Sequence, residues 1–279
     1  VDLDPAKDLV LMAEVMSEVT YVKHHKRKIA YLFSAMRHFA NSLGDDGIAV
    51  RYRRLDDPDN AGSLADEVAN AIAAFGPDRI VITAPGEYRL ADEMAGWQAR
   101  FGLAVDIRAD TRFLCSLDDF AEWAEGRKSL RMEFFYRDLR RRYQVLMEGD
   151  EPIGGKWNYD ADNRQPPKAG LAVPLPSSFA PDAITTEVLA LVEMRCADHF
   201  GQLTGFDFAV TRDQALHVLD QFISERLPLF GTYQDAMIEG EPWMYHSHIG
   251  LYLNAGLLSP IEVIRVAEAA YHSGDAPLN

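Results

Sequence analysis

Cysteine is scarce in this chain, which has two cysteines, Cys115 and Cys196, among 279 residues. Two thiols exclude a disulfide framework, a four-thiolate zinc site and an iron–sulfur cluster ligated within the segment. We interpret both as buried small hydrophobic side chains. The P-loop, G-x-G-x-x-G and G-x-S-x-G motifs are also absent, so the sequence lacks the common signatures of phosphate binding and nucleophilic catalysis.

Long apolar runs are missing too. No segment approaches the roughly 20 apolar residues that a membrane span needs, and no signal-peptide pattern precedes the first charges. The composition, with 48% hydrophobic and 25% charged residues, is that of a globular protein of one large or two modest domains. We therefore expect a cytoplasmic monomer without membrane association.

Positive charge is in short supply. The chain has 28 Lys and Arg against 43 Asp and Glu, a formal net charge of −15. This balance argues against a surface that binds phosphate backbones throughout. The excess of acidic residues is distributed unevenly. Residues 150–279 contain 18 acidic and 7 basic residues, whereas residues 1–149 contain 25 acidic and 21 basic residues. The two parts therefore present different kinds of surface.

Strand and helix patterns alternate in the first part of the chain. Short apolar runs predict strands at 9–13, 48–52, 79–84 and 103–107. Apolar residues at three- and four-residue spacing predict helices at about 23–43, at 63–75 and after residue 90. This alternation with short connections predicts an α/β fold with a doubly wound parallel sheet.

The later part of the chain is all-α by pattern. Helical periodicity covers 116–125, 130–147, 184–200 and 211–227 and resumes at Ser259, whereas residues 148–182 show none. A structureless stretch of that length usually marks a linker or a functional loop. We predict an α/β domain over residues 1–147, a linker loop over 148–182 and a partial helical domain over 183–279.

Clusters of charge and histidine give weak signals. The run 127–142 holds seven basic and two acidic residues, which fits a phosphate-tracking surface or, better, a solvated amphipathic helix. His24-His25 and His246-x-His248 lack a third ligand at metal spacing, and Asp160-x-Asp162 lacks the glycine and glutamate of a calcium loop. We predict no metal site.

Two regions favour ligand binding. Glu14, Glu18 and Tyr21 follow the first strand, and the carboxyl ends of parallel strands form the crevice where α/β folds bind small ligands. The segment 227–260 is broken by glycines and contains Tyr233, Ser247 and Asn254. Exposed N–H groups at helix starts bind anions, so a diphosphate-bearing cofactor or a simple corner of a helical bundle fits there.

The order of Tyr233, then residues 246–250, then 253–260 resembles the flavin-binding segment of photolyases and cryptochromes. The stretches 132–143, 153–167 and 230–237 resemble the bacterial iron–sulfur branch, the deoxyribodipyrimidine photolyase-related proteins, and residues 12–40 are similar to the same family. The resemblance covers essentially the whole chain and implies an α/β antenna domain followed by a helical domain that binds FAD.

The resemblance also implies an activity and ligand contacts. The activity is light-dependent lyase repair of UV-damaged DNA, with (6-4) photoproducts as the substrate. Glu14 and Glu18 would hydrogen-bond a lumazine antenna, 6,7-dimethyl-8-ribityllumazine, with Tyr21 close by. The FAD diphosphate and ribityl chain would be contacted by Tyr233, His246, Ser247, His248, Ile249 and Gly250, with Asn254 as a further contact.

The chain also departs from the family pattern. Gly250 and Leu251 stand where the usual motif has serine and proline, so a side-chain phosphate contact is lost. The family pattern has a strand before Val1, and after Asn279 it has helices with the catalytic histidine and four cluster cysteines. We therefore expect a fragment without assignable catalytic residues, with an iron–sulfur cluster only in the full-length protein. Two alternatives stay open, a photoreceptor without repair activity and an inactive fragment that binds only an antenna ligand.

Overall fold

The computed structural model describes residues 3–279 and divides into two compact units, each built from two stretches of the chain. Unit 1 comprises the residues up to Asp110 together with Phe179–Thr211, and unit 2 comprises Thr111–Ser178 together with Arg212–Asn279. Val1, on which the expected fragment was argued, lies outside the described residues. The predicted domain boundaries at 147 and 182 stay a prediction.

Unit 1 contains the parallel strands. They are β1 (Leu9–Ala13), β2 (Ala49–Arg53), β3 (Arg79–Thr83) and β4 (Ala104–Arg108). Hydrogen bonds join β1 to β2 with Leu9 opposite Ala49, and β3 to β4 with Arg79 opposite Ala104. All four strands lie within one residue of the predicted bounds. The predicted α/β fold followed by a helical region is therefore confirmed. The four parallel strands form two sheets of two strands each, β1 with β2 and β3 with β4.

The helices of the first stretch of unit 1 are α1 (Met16–Thr20), α2 (Lys26–Asp45), α3 (Leu64–Phe75), α4 (Tyr88–Ala95) and α5 (Trp97–Phe101). Helix α2 begins three residues later than the periodicity predicts because Nδ1 of His25 accepts a hydrogen bond from the backbone N–H of Arg27 and so caps the helix. Ser63 caps α3, because its side chain accepts a hydrogen bond from the backbone N–H of Asp66.

Unit 2 begins with α6 (Leu117–Ala124), which a capping box of Ser116 and Asp119 starts, and α7 (Met132–Tyr143). A short antiparallel pair, β5 (Met147–Glu148) and β6 (Glu151–Pro152), and a 3-10 turn (Ile153–Gly155) follow. No helix or strand occurs from residue 156 to 182. Helix α7 is shorter than the predicted 130–147 because Gln144 adopts the left-handed region, with φ of 52°.

The remaining helices are α8 (Ala183–Arg195) in unit 1 and, in unit 2, α9 (Arg212–Gln221), α10 (Leu227–Phe230), α11 (Gly250–Ala255) and α12 (Pro260–Ser273). A π-helix, Phe222–Arg226, separates α9 from α10 where the sequence predicts one continuous helix. The predicted capping box of Ser259 and Glu262 starts α12. No helix of the described residues is long and apolar enough to cross a bilayer.

The core of unit 1 lies between α2 and α8. Ile29, Ala30 and Phe33 of α2 are buried, as are Val188 and Val192 of α8, which are fully inaccessible. Burying a valine, isoleucine or phenylalanine side chain contributes about 1.5–3 kcal/mol to the stability of the fold. This packing fixes α2, and α2 in turn carries the arginine that organises the end of β1.

Candidate functional site

Glu14 follows β1 directly and is fully buried. Its carboxylate accepts hydrogen bonds from Nε of Arg37 at 2.6 Å, Nη2 of Arg37 at 2.9 Å, the Tyr52 hydroxyl at 2.7 Å and the Leu55 N–H at 2.9 Å. Burial and the adjacent carboxylate raise the pKa of the Tyr52 phenol, so the hydroxyl keeps its proton and donates. Glu14 therefore ties the end of β1 to α2 and β2, and its acceptors are occupied.

A second cluster, here called the Arg89 cluster, consists of Glu18, Tyr21, Glu87 and Arg89 in unit 1. The Arg89 guanidinium bridges two carboxylates, with Nη2 2.5 Å from Oε2 of Glu18 and Nε 2.9 Å from Oε1 of Glu87. It also lies 4.3 Å from the centroid of the Tyr21 ring. Hydrogen bonds to Glu18 and Glu87 raise the pKa of Arg89, so the cluster holds a permanent cation between two acids.

The Arg89 cluster contains two predicted residues, Glu18 and Tyr21, and two that the sequence reasoning missed. Glu18 is partly exposed and Tyr21 is exposed, so both can reach a ligand. Arg89 and Glu87 come just after β3, the most clearly patterned strand. A charged pair at the carboxyl end of that strand is a signal that could have identified them, because strand ends of an α/β fold share one edge.

In unit 2, Tyr233 lies in a buried aromatic cluster. It is 4% exposed and stacks on Tyr245, with ring centroids 5.7 Å apart. Ala236 and Met244 complete the buried cluster, and Leu171, Val173 and Ile238 pack against it. The hydroxyl of Tyr245 donates to the carbonyl of Ala172 at 2.6 Å. The residue predicted to contact a flavin therefore belongs to a fixed core that the loop after residue 170 closes.

The predicted stretch from His246 to Gly250 alternates between exposed and buried positions. His246 and Gly250 are exposed, Ser247 is half-buried and Ile249 is buried. The His246 ring packs edge-on against Phe230, with centroids 6.5 Å apart. Asn254 lies exposed on α11. This helix has six residues, which is too short for an anion site at its N-terminus.

His248 is the unusual residue of this stretch. Its φ of 55° lies in the left-handed region, which a side chain rarely adopts. Nε2 faces the carbonyl of Trp243 at 3.2 Å and must donate to it, while Nδ1 is buried without a hydrogen-bond partner. Burial lowers the pKa of His248. The neutral ring therefore holds an acceptor lone pair that has no donor among residues 3–279.

The basic run on α7 is satisfied within its own unit. Arg141 pairs with Asp138, Arg142 pairs with Asp119, and Arg137 pairs with Glu133. Arg140 is buried and donates to the carbonyls of Val145 and Leu146. The guanidiniums of Arg137, Arg140 and Arg141 lie 5.2, 5.4 and 4.6 Å from the ring centroid of Trp157. The basic residues of α7 therefore pair within their own unit. This arrangement fits the solvated amphipathic helix of the sequence analysis better than a phosphate-binding surface.

The cysteines give no metal site. Cys196 is buried, as predicted, but Cys115 is only half-buried, so that prediction is wrong; it lies at the start of α6, where its thiol donates to the Ser116 carbonyl. Within residues 3–279, no group of three or more His, Cys, Asp or Glu side chains is placed to hold a metal ion. A cavity of about 570 Å³ lies beside Cys115, Trp123, Phe135 and Arg142, and no predicted site residue lines it.

The fold and these clusters define a two-part protein, with an α/β unit that carries a polar cluster after its strands and a helical unit that contains a buried aromatic cluster. Comparison with known sequences identifies its family. The family of deoxyribodipyrimidine photo-lyase-related proteins matches residues 1–208, and the chain belongs to this family.

Two relatives place the chain within known proteins. Over 277 residues, 99% of this chain, it is 51% identical to a (6-4) photolyase of Agrobacterium fabrum. It is 26% identical over 149 residues to a protein of Acanthamoeba polyphaga mimivirus, covering 52% of this chain and 74% of that protein. The chain spans 55% of the length of the Agrobacterium protein.

Proposed function

We propose that the chain is part of a light-driven DNA photolyase that repairs (6-4) photoproducts in UV-damaged DNA. The observation that carries the proposal is the 51% identity over 277 residues to a protein named (6-4) photolyase. Family membership over residues 1–208 supports the same class of activity. The full-length protein acts on DNA as a monomer in this proposal.

The Arg89 cluster is the proposed antenna site for the lumazine. Glu18 and Tyr21 supply a carboxylate and an aromatic face at the carboxyl end of β1, and Arg89 holds both in place. Glu14 accepts four hydrogen bonds from protein groups and is buried. We therefore assign Glu14 a positioning role beneath the site, while Glu18 makes the contact with the ligand.

FAD is the proposed cofactor of unit 2, held by Tyr233, by residues 246–250 and by Asn254. The fit rests on the buried Nδ1 of His248, an orphaned acceptor that a ribityl hydroxyl group would satisfy. A bound reduced flavin supplies the light-driven electron chemistry of repair. The chain's own residues bind and orient this group, while Ile249 and the aromatic cluster of Tyr233 and Tyr245 exclude water.

The chain does not have enough cysteines to ligate an iron–sulfur cluster. Four thiolates are needed, and the free thiols of Cys115 and Cys196 supply two, one half-buried and one buried. We therefore place any such cluster, together with the catalytic residues, outside this segment of the full-length protein.

Light-dependent repair tests the proposal. The full-length protein with reduced FAD bound is incubated with an oligonucleotide that carries a single (6-4) lesion, under blue light and in darkness. We expect the lesion to disappear only in the light, and a matched oligonucleotide with a cyclobutane dimer to measure lesion selectivity. Bound reduced FAD with no repair in the light would refute the proposal.

A photoreceptor that signals to a partner is the second candidate. Gly250 and Leu251, in place of the serine and proline of the usual flavin motif, favour it. The same illuminated sample separates the two candidates, because a photoreceptor changes its flavin spectrum in the light and leaves the lesion intact. The absorption spectrum of the purified 279-residue chain tests the third possibility, since a stable flavin band contradicts a fragment that binds only an antenna ligand.

A further inference from the structure

Arg226, the last residue of the π-helix, is a buried cation that forms no ion pair within the part of the chain that the structure describes. It is 1% exposed. Nη2 donates to the carbonyl of Pro174 at 3.0 Å, while Nε is buried and has no hydrogen-bond partner. Burial lowers the pKa of the Arg226 guanidinium. The carboxylate of Glu225 acts in the opposite direction, but its side chain is exposed.

The other buried arginines among the described residues have more partners than Arg226. Arg37 makes a two-point contact with Glu14, and Arg53 pairs with Glu67 at 3.3 Å. Arg140 donates to two carbonyl oxygens, whereas Arg226 donates to one. Buried charges in proteins are ordinarily paired, because an unpaired charge loses its hydration without compensation. Arg226 therefore departs from a rule that the same chain follows elsewhere.

The surroundings of Arg226 are fixed and belong to the predicted flavin region. The segment 171–175 carries Pro174 and is held by Gln221, whose Nε2 donates to the carbonyl of Leu175 at 3.2 Å. Leu171 and Val173 of the same segment pack against the buried cluster that contains Tyr233 and Tyr245. Nε of Arg226 and Nδ1 of His248, which follows Tyr245 by three residues, are both buried without a hydrogen-bond partner. A π-helical turn often marks a functional position.

We propose that Arg226 binds the diphosphate of the flavin dinucleotide, with His248 as its neighbour in the same site. This inference rests on the proposed function, and it names the residue that selects a phosphorylated flavin. A guanidinium is suited to the task because its rigid fork of N–H donors matches phosphate oxygens. The anion would supply the ion-pair partner that Arg226 lacks among the described residues.

The first test measures stability without ligand. Arg226→Met removes an uncompensated buried charge while keeping an unbranched side chain, so we expect the thermal midpoint of the apo chain to stay the same or rise. Arg140→Met, which removes a buried arginine with two carbonyl acceptors, should lower it. If Arg226→Met destabilised the apo chain as much as Arg140→Met, Arg226 would be structural and the proposal would fail.

The second test measures the affinities of the 279-residue chain for riboflavin, FMN and FAD by fluorescence titration. Since a hydrogen bond to a charged group contributes to binding, Arg226→Met should weaken FAD about 10- to 100-fold and leave riboflavin unchanged. Arg226→Lys should recover part of the loss, and Arg131→Met, which removes an exposed arginine of unit 2, should change neither ligand. Equal losses for riboflavin and FAD, or no loss, would overturn the proposal.

A third arm separates this proposal from the function on which it rests. If the wild-type chain bound no flavin, inorganic pyrophosphate would be tested for its effect on the thermal midpoint. A rise in the wild type that is absent in Arg226→Met would keep the anion site and reject only the flavin. No rise in either protein would overturn the anion site itself.

Discussion

Glu14 and Arg37 form a two-point ion pair inside unit 1, with Nε 2.6 Å from Oε1 and Nη2 2.9 Å from Oε2. Arg37 is 7% exposed and Glu14 is inaccessible. The same carboxylate holds the Tyr52 hydroxyl and the Leu55 N–H. The pair therefore joins the carboxyl ends of β1 and β2 to α2, a few residues before Glu18 and Tyr21 in the chain.

We expect Glu14→Gln to lower the free energy of unfolding by about 3–5 kcal/mol, because it removes the two-point partner of the buried Arg37 and leaves only a longer pair, 3.8 Å, with the exposed Glu187. Urea denaturation followed by circular dichroism measures the change. Glu18→Gln is the matched control, since its ion pair with Arg89 is partly exposed and such pairs contribute about 0–1 kcal/mol. Equal small effects of both substitutions would contradict the positioning role of Glu14.

Glu18, whose substitution should change stability little, should matter for binding of the lumazine. Glu18→Gln should weaken 6,7-dimethyl-8-ribityllumazine at least about tenfold, because a charge-assisted hydrogen bond contributes about 1.5–3 kcal/mol. Fluorescence titration of the 279-residue chain measures this affinity. Asp45→Asn removes an exposed carboxylate of unit 1 at the last residue of α2 and should leave the affinity unchanged. Unaltered binding by the Glu18 variant would remove Glu18 from the antenna site.

Gly201 allows a backbone effect to be separated from a steric one. Its φ is +88°, and a Cβ there would lie 2.1 Å from Nε2 of His25, the residue that caps α2. Gly47 has a similar φ of +78° with nothing within 4 Å. Both alanine variants pay for the left-handed backbone, about 1 kcal/mol. Only Gly201→Ala should also displace the cap.

The measurement is the thermal midpoint of both glycine variants, with the helical signal of the folded state as a second reading. Gly201→Ala should lower the free energy of unfolding by about 1–2 kcal/mol more than Gly47→Ala, the value of a lost helix cap. If the two variants matched, the His25 ring would move away without cost, and its contribution to the cap would be small.

Local signals in the sequence predict much of the fold and little of the site. The strand at 9–13 and the helix starts at Ser116 and Ser259 depend on neighbours in sequence, and the structure has them where the patterns indicate. The π-helix that ends at Arg226 interrupts a continuous periodic pattern, so no local signal marks it. Tertiary packing decides such a departure from regular helix.

The site residues were hard to assign because their roles depend on partners distant in sequence. The pattern after β1 draws attention equally to Glu14 and Glu18, yet α2 buries the first and Arg89 pairs with the second. Nothing near Arg226 in the sequence shows that its guanidinium is buried without an acid. Burial and pairing are properties of the folded chain, and they separate a structural carboxylate from one that can reach a ligand.

Trp157 organises the irregular segment after β6. Its ring lies 4.6 to 5.4 Å from the guanidiniums of Arg137, Arg140 and Arg141 of α7. Because each cation–π contact contributes about 0.5–2 kcal/mol, Trp157→Leu should destabilise the chain by about 1–2 kcal/mol more than Trp157→Phe, which keeps an aromatic face. Urea denaturation of the two variants tests this, and an equal loss would mean that the ring acts through its volume alone.

The cap of α12 gives a pH dependence with a defined sign. A hydrogen bond from Arg212 lowers the pKa of Glu262 below its ordinary value of 4.5, and the N–H of Ser259 also donates to this carboxylate. A carboxyl whose pKa is lower in the folded state stabilises above its unfolded pKa, and that contribution is lost as the pH falls. Stability should therefore decline as the pH drops from about 5 through the lowered pKa.

Glu262→Gln isolates this contribution. At pH 7 it should lower the free energy of unfolding by about 1 kcal/mol, the usual value of a helix cap, and the variant and the wild type should converge as the pH falls through the lowered pKa of Glu262. Glu239→Gln, at an exposed carboxylate, should leave the whole profile unchanged. Unfolding by urea at a series of pH values between 3 and 7 measures the three curves. A difference that stayed constant across this range would show that Glu262 acts through its shape and neutral hydrogen bonds rather than its charge.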